Sequence, residues 1–132
     1  MNTSELSSKP FKILFVDNSR NTRAIMTSLL AGEGYTVVSV GTGIEAVNKL
    51  KEEHFDLAIL DLYMPVMNGY EIAKIIRDLP DACKDIPMIA LTASQDPKDI
   101  EICKRVGMNE YIIKDEDHTH LFEAIERYRT IL

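Results

Sequence analysis

Four side chains in this sequence could act together on a charged ligand: the carboxylates of Asp17 and Asp61, the hydroxyl of Thr92 and the ammonium of Lys114. Each follows a short apolar run: Ile13-Leu14-Phe15-Val16, Leu57-Ala58-Ile59-Leu60, Met88-Ile89-Ala90-Leu91 and Tyr111-Ile112-Ile113. A carboxylate delivered straight out of a buried run is costly to desolvate unless it finds a partner. A divalent cation between Asp17 and Asp61 supplies one. Oxygen-only ligands in a small site suit magnesium, which keeps several waters and takes one or two carboxylates plus phosphate oxygens. Plainer roles stand beside these. Asp17, Asn18 or Ser19 could cap a following helix, Asp61 and Thr92 could simply end strands, and Lys114 could be a solvated lysine.

For the four groups to meet, the elements carrying them must be gathered at one edge. The chain alternates between two periodicities. Strands are expected at Phe11–Val16, Tyr35–Val40, Asp56–Leu60, Met88–Leu91 and Glu110–Ile113. Between them run helical patterns. The first starts at Ser19, carries Ala24, Ile25, Leu29 and Leu30, and is stopped by Gly32-Glu33-Gly34. The second has Thr42 as cap, with Glu45 three residues on and Ile44, Val47 and Leu50 on one face. The third covers Tyr70–Leu79. The fourth covers Asp96–Val106, with Pro97 at its first position and Gly107 as terminator. The last runs from His118 to about Ile131, with Leu121, Ala124, Ile125 and Tyr128 inward. Pro80 to Pro87 reads as a polar connection.

Strands interleaved with helices, and strands that do not alternate in polarity, mean a parallel sheet covered on both faces. The expected architecture is a doubly wound five-stranded α/β/α fold of flavodoxin-like order 2-1-3-4-5, whose ligand crevice lies outside the carboxyl ends of the strands, between strands 1 and 3. Asp17, Asp61, Thr92 and Lys114 all fall on that edge.

The 132 residues and 14.9 kDa suit one domain. Apolar residues at 45% and charged residues at 27% argue against a disordered chain. Fifteen basic against twenty-one acidic residues leave a net charge of −6, against a nucleic-acid binder. Cys83 and Cys103 form no CxxC pair and read as reduced thiols of a cytoplasmic protein. Met1 to Lys9 lacks a signal-peptide pattern and is expected to be a flexible leader, residues 1–9, before a domain spanning 10–132. Apolar runs such as Ile86–Leu91 are far too short to cross a membrane. His54, His118 and His120 are assigned no metal role.

On these residues the chain resembles the receiver domain of two-component response regulators, the CheY-like group. The resemblance covers about residues 11 to 131 and is carried by Ile13-Leu14-Phe15-Val16-Asp17, Asp61-Leu62-Tyr63-Met64-Pro65-Val66-Met67-Asn68-Gly69, Leu91-Thr92-Ala93 and Gly107-Met108 with Tyr111-Ile112-Ile113-Lys114. It implies that Asp61 is a phospho-acceptor, taking a phosphoryl group from a phosphohistidine on a kinase or phosphotransfer protein. Asp17 would hold magnesium, partly through water, with the backbone carbonyl of Tyr63. Thr92 and Lys114 would bind phosphoryl oxygens, and Tyr111 would change rotamer on activation. Such a domain catalyses its own phosphorylation and dephosphorylation without being a classical turnover enzyme. Its downstream partner is expected to be a protein, met on the face of helix 4, strand 5 and helix 5, including Lys104, Tyr111 and Arg127.

Two positions depart from the family pattern. Asn18 stands where a second acidic residue usually ligates magnesium directly; its amide oxygen can coordinate but adds no charge. Asp115 follows Lys114 where the family usually has a cis proline, and a cis bond before a non-proline costs about 2.5–4 kcal/mol, so trans is expected. These departures motivate an alternative, a degenerate receiver serving as a phosphorylation-independent binding module. A flavin or nucleotide carrier fits poorly, since Asp17-Asn18-Ser19-Arg20 is acidic where a phosphate cradle wants glycines.

Overall fold

The structure, a computed structural model, describes residues 10–114 and 118–131. Five strands, β1 (Lys12–Val16), β2 (Thr36–Val40), β3 (Leu57–Asp61), β4 (Met88–Thr92) and β5 (Glu110–Ile113), form one sheet of order β2-β1-β3-β4-β5. Every neighbouring pair is parallel. The helices are α1 (Arg20–Gly32), α2 (Gly43–Glu52), α3 (Gly69–Arg77), α4 (Pro97–Arg105) and α5 (Thr119–Ile131). The Pro80–Pro87 connection contains a 3-10 turn over Asp81–Asp85. The expected sheet order and the strand–helix alternation are both present. The proposed leader and the Lys114–Asp115 peptide bond lie outside the described residues.

Two apolar cores flank the sheet. On one face Leu14, Val16, Ala58, Leu60, Met88 and Ala90 pack with Ala46 and Leu50 of α2, Ile72 and Ile76 of α3, and Cys103 of α4. On the other Ile13, Phe15, Leu57, Ile59, Ile89 and Leu91 pack with Met26 and Leu30 of α1 and Leu121, Ala124 and Ile125 of α5. All of β3 and β4 is buried. Removing each large side chain of these strands from water contributes about 1.5–3 kcal/mol, so their carboxyl ends are held on a rigid base.

Caps fix where the helices begin. Ser19, not Asp17 or Asn18, caps α1, its hydroxyl accepting from the Thr22 amide at 3.2 Å. Thr42 caps α2 by accepting from the Glu45 amide at 3.1 Å, and Asn68 and Glu71 form a reciprocal capping box on α3. Asp96 caps α4, with Pro97 in its first turn. Gly107, at φ +92°, makes the turn out of α4 that a side chain would resist. Beside it the Arg77 guanidinium donates to the carbonyls of Lys84, Ile86 and Gly107, tying the 3-10 connection to the approach of β5.

The α5 face is as expected, with Leu121, Ala124 and Ile125 buried and Tyr128 packed against them, whereas the faces of α1 and α2 are rotated from the sequence pattern. In α1 the buried residues are Met26 and Leu30, while Ile25 is 56% exposed and Leu29 is 39% exposed. In α2 Gly43, Ala46 and Leu50 are buried and Ile44 faces solvent. An apolar stripe wider than the contact leaves its margin in water, and the spacing of apolar residues cannot tell margin from centre.

Candidate functional site

The parallel register brings β1, β3 and β4 to a common edge, and the residues leaving them converge there. Asp17 is 2% exposed, held because its amide continues the β1–β2 ladder to the Val40 carbonyl at 3.2 Å. Its Oδ1 accepts from the Ser19 amide at 2.8 Å, an Asx turn that reverses the chain into α1. Its Oδ2 is buried and has no hydrogen-bond partner among the described residues. Arg23, one turn into α1, donates from Nη1 to the Asp17 carbonyl at 2.7 Å and lies against Gly41, where a Cβ would come within 2.8 Å of the guanidinium.

Asp61 ends β3. The Tyr63 amide donates to its Oδ1 at 3.2 Å. Gly69, opening α3, sits so close that a Cβ would meet the Asp61 carbonyl at 2.5 Å. Burial holds the Asp61 carboxyl above the ordinary carboxylate range; Lys114 and the Tyr63 amide oppose this, and Asp17 adds to it. Lys114 reaches both acids, its Nζ 3.6 Å from Asp17 Oδ2 and 4.0 Å from Asp61 Oδ1. The Lys114 amide donates to the Thr92 carbonyl at 2.8 Å, joining the end of β5 to that of β4. Thr92 is 1% exposed, its Oγ1 accepting from the Ser94 amide at 3.2 Å. Tyr111 donates its hydroxyl to the Ser94 carbonyl.

Of the residues singled out in the sequence, Asp17, Asp61, Thr92 and Lys114 are brought together, and Tyr111 is linked to the same edge through Ser94. Tyr63 follows on the adjacent loop. Asn18 is exposed beside Asp17.

A carboxylate pair with one buried lone-pair-bearing oxygen left unused fits a small hard cation. Asp17 Oδ2 is that oxygen, and it can take a metal or a water without losing a protein hydrogen bond. Apart from these two acids, no group of three or more His, Cys, Asp or Glu side chains among the described residues could hold a metal. Two contributors escaped the sequence: Arg23 and Ser94. Their roles depend on which loop a polar side chain reaches, and helical periodicity does not encode that.

The comparisons with known proteins bear on this edge. A family model described as response regulator receiver domain matches residues 13–126. A sensor kinase/phosphatase for the CAI-1 autoinducer, CqsS of Vibrio cholerae, is 32% identical over 114 residues, which make up 86% of this chain and 17% of that protein. The DNA-binding response regulator MtrA of Mycobacterium tuberculosis is 33% identical over 103 residues, 78% of this chain and 43% of MtrA. The chain thus spans less than half the length of either relative. The solved receiver domain of a Pseudomonas aeruginosa sensor histidine kinase, with a magnesium ion coordinated in its active site cleft, superimposes with a TM-score of 0.82. It is 30% identical, over 92% of this chain and 98% of that one.

Proposed function

The chain belongs to the response regulator receiver domain family, and from that premise we propose that Asp61 is its phospho-acceptor, with residues 10–132 as the receiver domain. The observation that carries this is the juxtaposition of Asp61 with Lys114 and with the buried Oδ2 of Asp17, which pairs with Lys114 at 3.6 Å but accepts no hydrogen bond among the described residues. Asp61 attacks the phosphorus of a phosphohistidine; the new O–P bond forms as the P–N bond breaks and the imidazole departs. The donor is a histidine kinase or phosphotransfer protein.

Phosphoryl transfer is mostly positioning and charge neutralisation. Lys114, between the two carboxylates, can swing its ammonium onto an incoming phosphoryl oxygen. Thr92 presents a hydroxyl that already accepts one hydrogen bond and is free to donate. Magnesium, held by Asp17, Asp61 and the Tyr63 carbonyl with the Asn18 amide beside them, would neutralise phosphoryl charge during transfer. The acyl phosphate carries about −2 charge, which draws Thr92 and Lys114 toward it and moves the loops they hold. Tyr111, joined to Ser94, follows that movement, and the face of α4, β5 and α5 carries the change to a protein partner. MtrA bears DNA-binding in its name and is the longer chain, so the −6 charge speaks for this domain's own surface and not for a larger protein around it. Among the described residues no helix is long and apolar enough to cross a membrane.

The test is intact mass after incubation with acetyl phosphate and magnesium. The expected result is one added phosphoryl group, absent without magnesium and absent in Asp61→Ala. No adduct at any magnesium concentration would favour the phosphorylation-independent binding module.

A further inference from the structure

Asp99 lies in the first turn of α4, 8% exposed, but its carboxylate does not cap that helix. Asp96 caps that helix, accepting from the Lys98 amide at 2.9 Å. Three hydroxyls from three other places converge on Asp99 instead. Tyr63, on the loop after β3, donates to Oδ2 at 2.5 Å. Ser94, on the loop after β4, donates to the same oxygen. Tyr70, in the first turn of α3, donates to Oδ1 at 2.7 Å. These bonds, Ser94 first and then Tyr63 and Tyr70, hold the Asp99 carboxyl below the usual carboxylate range, so the group that accepts them stays anionic.

Two of those donors are the residues whose backbones grip the reacting groups. The Tyr63 amide donates to Asp61 Oδ1, and the Ser94 amide donates to Thr92 Oγ1, each at 3.2 Å. One carboxylate oxygen therefore joins, by side chains, the two loops that orient the acceptor and the phosphoryl-binding hydroxyl. Tyr63 is 58% exposed, so its side chain is held at Asp99 by its hydroxyl bond more than by burial. Charge-assisted hydrogen bonds of this kind are about twice as strong as neutral ones.

We propose that Asp99 is a positioning residue for phosphoryl transfer, bracing the loops after β3 and β4 so that Asp61 and Thr92 are held in register before the donor arrives. This rests on the acceptor reading of Asp61 given above. The brace acts on rate because small misplacements of reacting groups are expensive, on the order of 100-fold for 1 Å. It also gives the loops a shared anchor, so a pull on Thr92 by a bound phosphoryl group is felt by Tyr63 through Ser94 and Asp99.

A double-mutant cycle on phosphorylation rate tests this. Wild type, Tyr63→Phe, Asp99→Asn and the double variant are exposed to acetyl phosphate at saturating magnesium, with the rate of phosphoryl gain read by intact mass. Tyr63→Phe removes one hydroxyl from an exposed side chain and leaves the fold intact, which thermal melting checks. The expected result is a loss of about tenfold in each single variant, with the double variant no slower than Asp99→Asn alone, because both remove the same charge-assisted bond. A wild-type rate in Tyr63→Phe, or losses that multiply in the double variant, overturns the brace. Asp61→Ala is run alongside: if it gains a phosphoryl group, the acceptor reading itself fails, an outcome separate from any of these.

Discussion

Asp17 offers its neighbours two unequal oxygens, one spent on the Ser19 amide and one buried without a hydrogen-bond donor. A cation-binding acid needs that inequality, because an oxygen already saturated by amides binds metal poorly. Its neighbour Asn18 adds an amide where a second carboxylate would add charge. The prediction is that Asn18→Asp tightens magnesium binding by several-fold, read by titration in the absence of a phosphodonor; unchanged affinity would show that position 18 does not face the ion. Asp61 supports a second prediction. Its carboxyl sits above the ordinary value of 3.8 chiefly because burial disfavours the anion. The native state thus binds the Asp61 proton more readily than the unfolded chain does. Stability from this group is greatest below 3.8 and falls as pH rises through the raised native value. Asp61→Asn, which removes the buried charge, is therefore expected to raise the melting temperature at pH 7 by a few degrees, with the gain shrinking toward pH 4. Equal gains at both pH values would contradict the assignment of the strain to ionisation.

At the scale of elements, the position of Asp61, the proposed acceptor, depends on how closely α3 approaches the end of β3. Gly69 permits that approach, its amide donating to the Leu62 carbonyl at 3.1 Å while a Cβ would collide with the Asp61 carbonyl. Neither partner in the collision is a flexible side-chain tip, so the backbone must shift. Gly69→Ala is expected to cost about 1–3 kcal/mol, seen as a lower melting temperature, and to slow phosphoryl gain together with it. Strand positions were legible because Leu57-Ala58-Ile59-Leu60 and Met88-Ile89-Ala90-Leu91 are unbroken apolar runs, which only a sheet covered on both faces buries. Helix existence was legible from caps such as Thr42 and Asp96. Helix orientation was legible for α5, whose Leu121, Ala124 and Ile125 are buried, but not for α1: Ile25 lies one residue from Met26, about 100° around the helix, and only the second meets the core. Ile44 errs in the same way on α2. The 3-10 turn within Pro80–Pro87 is not legible in the sequence, because a single short turn leaves no periodic mark.

For the molecule as a whole, the sheet order turns distant residues into neighbours. Asp17, Asp61, Thr92 and Lys114 are spread over most of the chain, and the 2-1-3-4-5 order places their strands side by side. That part of the site could be read from sequence because it requires only strand ends and a topology. The hydrogen-bonded layer around it, with Arg23 on the Asp17 carbonyl and Asp99 beneath Tyr63 and Ser94, could not, since it depends on the reach of side chains between loops. On the proposed function, this edge serves to put a phosphoryl group on one carboxylate. Borohydride reduction of the phosphorylated protein, followed by peptide mass mapping, tests it most directly, because hydride converts an acyl phosphate to the alcohol and marks the acceptor permanently. Conversion of the side chain at position 61 to that of homoserine is expected, with no other residue marked. A mark at Asp17 or elsewhere, with Asp61 unchanged, would contradict it.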